Sequence, residues 1–374
     1  MSKKGENKNI SLIPVANNSL AKLNLSFELT NKLLDERAIK YFNLGFYYLH
    51  TAVLKKTNEN YYLELVNNPH YLEQEYFGGD SINKPNDYLD AINNFDKAIE
   101  LNPNFKLAYN YRGVAKLNLV EKYNDKWWNE TEIDLRTAIK IDENNSFAYK
   151  NIGILFESYW EYEWSFVYGA SMALKYYDKA IEINNKYWLV YLLRADALIS
   201  SIDDYPLEEE VLTKKSNKDY NTIIANINAN NAQSYVIRGK AKGGIGDYEG
   251  AIDDFGNASK LGIKSESMYS FSSLYKSFLG DFKGAIDDIS KAILITPANS
   301  EYYKRRADYF YELKKYKIAI LDYNKSLELE PNNRFSFWYR GRTKEVIGDI
   351  KGAKCDFDKF IELEKLDEEK TKMI

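Results

Sequence analysis

A single cysteine, Cys355, two histidines and seven prolines stand in a chain of 374 residues. One thiol cannot build an internal disulfide framework and fits a reducing, cytoplasmic compartment. With only His50 and His70 beside that cysteine, a nitrogen- and sulfur-ligated metal centre lacks ligands. Neither charge is in large excess: 51 basic and 55 acidic residues give a net charge of −4, which is no footprint for nucleic acid. No apolar run approaches the roughly 18 residues that a membrane-spanning helix needs, so no membrane association is expected. The start, Met1-Ser2-Lys3-Lys4-Gly5, is basic without an apolar stretch behind it, so a secretory leader is not expected. A phosphate-binding glycine loop, a Gly-x-Ser-x-Gly elbow and a His-Glu-x-x-His helix are all missing. No catalytic, cofactor-binding or metal residue can therefore be named, and the expectation is a protein that is not an enzyme.

What the chain does contain is a period. Tyr235, Tyr269, Tyr303 and Phe337 follow one another at steps of 34, and Ala251, Ala285, Ala319 and Ala353 keep the same step. A fixed period of this size indicates a solenoid of small, stacked units. Within one unit, Tyr235 and Gly239 precede Gly246-Asp247-Tyr248, then Ala251, Phe255 and Ala258. Small and apolar residues three and four apart predict two amphipathic helices, and the Gly-Asp pair supplies the turn and an N-cap between them. Gly239, Ala251 and Ala258 are small where two backbones approach. Pro103, Pro297 and Pro331 fall where a second helix must stop.

An aromatic, then glycine, then an aromatic, alanine, phenylalanine, alanine and proline within 34 residues resembles the tetratricopeptide repeat. The resemblance implies an all-α fold: a right-handed superhelix, or α-solenoid, of about eight helix-turn-helix units. Upstream the aromatic step lengthens to 40, 42 and 44 residues between Tyr109, Tyr149, Tyr191 and Tyr235, so the first four units are expected to carry insertions. The unit at Tyr191 is the poorest, with Ile224 where alanine is expected. Between Gly45 and Ala91 one whole repeat length is extra, and residues 51–86 fit either a helix extension with a loop or a decayed repeat. The expected layout is a partly flexible N-terminal segment over 1–30, the solenoid over 31–365 and a tail over 366–374.

In this family the first helices line a concave groove that holds peptide or protein segments. The resemblance places residues one and five positions after each repeat aromatic in that groove. The candidates for partner binding are Phe42, Phe46, Val114, Lys150, Ile154 and Leu192 in the early units, and Lys304, Trp338 and Arg342 in the late ones. The family's carboxylate clamp is not reproduced, because Ile154 stands where asparagine is needed. The glycine-rich Gly243-Gly244-Ile245-Gly246 is read as a hairpin turn, and Asp253-Asp254 and Asp287-Asp288 as solvated helix faces. Arg305, Arg306, Arg334 and Arg340 gather beside Phe335 and Tyr339 as a patch suited to an acidic peptide. The functional expectation is a non-enzymatic protein–protein interaction scaffold or adaptor without cofactors. The alternative is a peptide-responsive regulatory protein. Phe357, Phe360 and Ile361 near the C-terminal end suggest self-association there.

Overall fold

A computed structural model describes residues 36–54, 85–120, 126–157, 163–202 and 208–372. Every regular element among them is a helix. The first compact unit, ending at Leu189, holds α1 (Glu36–Leu54), α2 (Pro85–Leu101), α3 (Lys106–Leu117), α4 (Lys126–Ile141), α5 (Ser146–Glu157) and α6 (Glu163–Ile183). The second unit, from Val190 on, begins within α7 (Trp188–Ser200). It continues with α8 (Glu209–Asn226), α9 (Ala232–Gly244), α10 (Tyr248–Lys260), α11 (Glu266–Phe278) and α12 (Phe282–Ile295). The last four helices are α13 (Ser300–Glu312), α14 (Tyr316–Leu329), α15 (Arg334–Val346) and α16 (Ile350–Lys372). Consecutive described helices pair as hairpins, α1 with α2 through α15 with α16, and neighbouring hairpins stack within each unit. The described residues thus make eight such pairs, in the expected all-α solenoid.

Close approach within each hairpin rests on the small residue four positions after the repeat aromatic. A Cβ added to Gly239 would sit 2.7 Å from the Phe255 ring, and one on Gly113 would sit 2.9 Å from Leu135. Where the position carries Ala307 instead, the facing Tyr323 still packs, and both side chains are buried. Aspartates 247, 281 and 349 cap the second helices, each accepting from the backbone N–H three residues on. The glycines before them, Gly246, Gly280 and Gly348, hold φ between 78° and 86°, a region that costs glycine little. Prolines 103, 297 and 331 each stand two residues beyond a second helix.

The insertions have a definite place. Three residues join α9 to α10, whereas eight separate α3 from α4 and eight separate α7 from α8. The second helices α4, α6 and α8 run 16, 21 and 18 residues against 13 for α10. The extra chain thus lengthens the hairpin turn and the start of the second helix. In the α7–α8 hairpin the alanine places are filled by Ser216 and Ile223, both fully buried, so Ile224 lies one residue off the register expected from sequence. Residues 1–35 and 55–84 fall outside the described residues, and with them the N-terminal segment and most of the insert. The segment expected as a tail from 366 continues α16 to Lys372, in keeping with its run of helix-forming Glu and Lys.

The α13–α14 turn breaks the rule that its neighbours follow. Lys314 takes the left-handed position, at φ 58°, and Lys315 stands at the N-cap with no side-chain cap bond. A left-handed non-glycine residue and a missing cap each cost about 1 kcal/mol. Lys314→Gly with Lys315→Asp is therefore expected to raise the urea midpoint, by about 1–2 kcal/mol in stability. An unchanged midpoint would show that the turn carries no such strain.

Candidate functional site

Counting from each repeat aromatic, the residue three positions on faces the second helix of its own hairpin. Five hairpins place arginine there. Arg238 donates from Nε and Nη2 to the two carboxylate oxygens of Asp254, at 2.8 and 2.6 Å. Arg306 does the same to Asp322 at 2.7 and 2.8 Å, and Arg340 to Asp356 at 2.9 and 2.6 Å. Arg194 with Asp219 and Arg112 with Asp134 repeat the fork in the stretched hairpins. The pairs lie 16 residues apart in the regular units, but 22 and 25 apart in those two, so each insertion falls between the partners and leaves the fork intact. Lys116, Lys242 and Lys344 add a second cation to Asp134, Asp254 and Asp356.

Each guanidinium also lies over the aromatic that opens its repeat. The distances are 5.4 Å for Arg112 over Tyr109, 5.5 Å for Arg194 over Tyr191 and 5.3 Å for Arg238 over Tyr235. Arg306 over Tyr303 and Arg340 over Phe337 match them. Two of the three hairpins without this arginine bring a lysine from the second helix: Lys97 over Tyr41 and Lys291 over Tyr269, each at 5.3 Å. In the latter hairpin Asp288 accepts from Ser272, Lys276 and Lys291. Burial pushes the Asp288 carboxyl up, and these three bonds together hold it below the ordinary range.

The reading of Asp253-Asp254 and Asp287-Asp288 as solvated faces is corrected here. Asp253 and Asp287 are exposed, but Asp254 and Asp288 are buried between the two helices of a hairpin. One helical step of about 100° separates the two members of each pair, enough to turn the second inward. The missed signal was available in the sequence: arginine recurs three residues after the aromatic at 112, 194, 238, 306 and 340.

The residues at one and five positions after the aromatic lie about 40° apart on the helix surface, on a common face of the first helix. Their accessibility changes along the chain. Phe42, Val114, Lys150, Ile154 and Leu192 are all buried. Phe42 sits among Phe95, Phe105 and Tyr111, with ring centroids 4.9–5.8 Å apart, and Phe46 lies edge-on to Tyr111 at 5.2 Å. Lys150 extends its ammonium over the Phe147 ring at 4.7 Å. In the last two hairpins, α13–α14 and α15–α16, the face opens. Lys304 is half-buried, 3.6 Å from Asp308 and 5.4 Å above the Tyr339 ring. Trp338 is 38% exposed with its inner edge on Phe357 and Phe360. Arg342 is exposed and makes no hydrogen bond or ion pair among the described residues. Of the other cations in this region, Arg306 and Arg340 are held within their hairpins, and Arg305 donates to Ser270 at 2.9 Å. Trp160 and Trp164, in the stretched α5–α6 hairpin, have side chains outside the described residues.

Two acids lie on the same face. Tyr220 donates to Asp196 at 2.7 Å and Tyr323 donates to Asp308 at 2.6 Å. Asp196 is exposed and Asp308 half-buried, and desolvation by the surrounding protein pushes both carboxyls upward. Lys304 and the Tyr323 hydroxyl offset this only in part at Asp308. Among the described residues, no group of three His, Cys, Asp or Glu side chains is placed to hold a metal ion. No described helix is long and apolar enough to cross a membrane.

A carboxyl whose folded pKa is raised is destabilising in its ionised form, so its cost is absent below the unfolded pKa and complete above the folded one. Asp308→Asn is therefore expected to raise the thermal midpoint at about pH 7, with the gain vanishing near about pH 4. A gain that persists at the acidic end, or a loss at neutral pH, would contradict the desolvation account.

A family model, the tetratricopeptide repeat, matches residues 300–333, which are the α13–α14 hairpin. No curated protein matches the chain by sequence. Among solved structures, the Cut9–Hcn1 hetero-tetramer of the APC/C aligns over 93% of this chain and 64% of its own, at 14% identity and TM-score 0.56. A tetratricopeptide repeat protein from Parabacteroides merdae aligns over 69% of this chain and 93% of its own, at 15% identity and TM-score 0.46. YrrB, described as a TPR protein with an unusual peptide-binding site, aligns over 61% of this chain and 91% of its own, at 17% identity and TM-score 0.34. These likenesses concern the fold. The hairpin at 300–333 is thus a tetratricopeptide repeat, and the same hairpin recurs among the described residues.

Proposed function

We propose that this chain is a non-enzymatic scaffold or adaptor that takes up a peptide or protein segment on the first-helix face of its second unit, in the cytoplasm. The observation that carries the reading is the contrast along that face. Five of the early candidates are packed into the interior, whereas Trp338 and Arg342 are exposed on α15 and Lys304 is half-buried on the adjacent α13. A half-exposed tryptophan beside an unpaired arginine has the composition of an interface anchor. The fork-shaped Arg342 guanidinium suits a carboxylate on the bound segment, and the Trp338 ring suits an apolar side chain next to it. Asp308 beside Lys304 leaves less net positive charge here than the sequence suggests, so the preferred segment carries one acid next to an apolar residue rather than an acidic run. The single cysteine, exposed and free, supports the reducing location.

The test is capture of a partner from the source organism, followed by measured affinity for wild type and for Arg342→Glu and Trp338→Ala. Each variant is expected to bind at least about tenfold more weakly with unchanged helicity. Asp253→Asn, on the solvated side of α10, should bind as wild type does. Full retention of binding by both groove variants would reject this face as the site.

A further inference from the structure

One stripe on each second helix has a fixed job. On α12, Phe282, Ile286, Ile289 and Ile293 face the next hairpin and pack against Tyr302 and Tyr309. On α14 the same places hold Tyr316, Ile320, Tyr323 and Leu327. The innermost of these are covered: Ile293 and Leu327 are each 7% exposed. Counting 34 residues on, α16 carries Ile350, Lys354, Phe357 and Ile361. Here the stripe is open, with Ile350 64% and Ile361 45% exposed. A stacking face used throughout the fold thus lies uncovered on the last described hairpin.

The sequence of this open stripe says what covers it. Ile350, Lys354, Phe357, Ile361 and Glu364 follow one another at steps of four, three, four and three. That is the seam of a two-helix coil. The interior stripes are apolar at the second place, with Ile286 and Ile320, whereas α16 substitutes an exposed lysine and continues the seam with a glutamate. Neither Lys354 nor Glu364 makes an ion pair or hydrogen bond among the described residues. Around residue 359 the seam is self-complementary. Two antiparallel copies crossing there set Lys354 opposite Glu364 and Phe357 opposite Ile361, twice over by symmetry.

We infer that α16 pairs antiparallel with α16 of a second copy of this chain, through Phe357 and Ile361 and two reciprocal Lys354–Glu364 ion pairs. The partner helix takes the place that the next hairpin takes elsewhere in the fold. This surface lies on α16 and meets the α13–α15 face only at Phe357, whose ring packs on Trp338.

The test uses the full chain and light scattering coupled to size exclusion over a wide concentration range. Wild type is expected as a dimer. Lys354→Glu sets like charges against each other at both contacts, and Glu364→Lys does the same with the opposite sign. Each is expected to raise the dimer dissociation constant at least about tenfold while keeping its helicity. The double variant Lys354→Glu/Glu364→Lys restores both pairs and is expected to dimerise again. So is an equimolar mixture of the two single variants, which can pair only with each other. A wild type that stays monomeric at every concentration overturns the inference. So does a dimer indifferent to Lys354→Glu, or a charge swap that fails to restore pairing in a folded protein.

Discussion

Most hairpins of the fold depend on a cation held between their two helices. In five hairpins an arginine from the first helix grips a buried aspartate on the second with both prongs and lies against the aromatic that opens its repeat. A planar guanidinium can satisfy a carboxylate and cover a ring together, which an ammonium cannot do with the same geometry. Burying an aspartate alone would be prohibitive, so the pair has to form for the hairpin to close. The bidentate geometry then fixes how far one helix can slide or rotate against the other.

That constraint decides which residues point outward. With position three locked onto the second helix and the small residue at position four pressed against it, positions one and five are left on the free side of the first helix. Near the N-terminal end large aromatic and aliphatic side chains fill that side, and Phe42, Phe46 and Tyr111 close over it. Toward the C-terminal end shorter or charged residues leave it open, and Trp338 and Arg342 reach the surface. The stretched hairpins obey the same rule. Their insertions fall between arginine and aspartate, so the turns lengthen without moving the helices off their common register.

Much of this was legible in the sequence. The 34-residue step, the Gly-Asp turns and the prolines after the second helices all report local geometry, and each has its counterpart in the structure. The buried forks were not read, because a doubled aspartate on an amphipathic helix looks like solvated surface until the facing helix is known. Ile224 was misplaced by one residue for a related reason: with a lengthened turn, register is set by tertiary packing, and Ile223 is the residue that turns inward. Accessibility of the groove face was the least legible feature. Whether Lys150 or Lys304 is open depends on neighbouring hairpins, and Lys150 is wholly covered although both occupy one repeat position. Spacing identifies the face; only packing says where it is free.

The central claim is that the arginine–aspartate fork closes the hairpin. The most direct test is a double-mutant cycle at Arg306 and Asp322, where no lysine shares the carboxylate among the described residues. Unfolding in urea would be measured for Arg306→Ala, Asp322→Ala and the pair together. The account predicts that each single change costs about 2 kcal/mol or more, and that the double costs little beyond either one, because the second change removes a charge already stranded. Costs that add to within about 0.5 kcal/mol would show that the two side chains act independently, and that the hairpins are held by their apolar contacts alone.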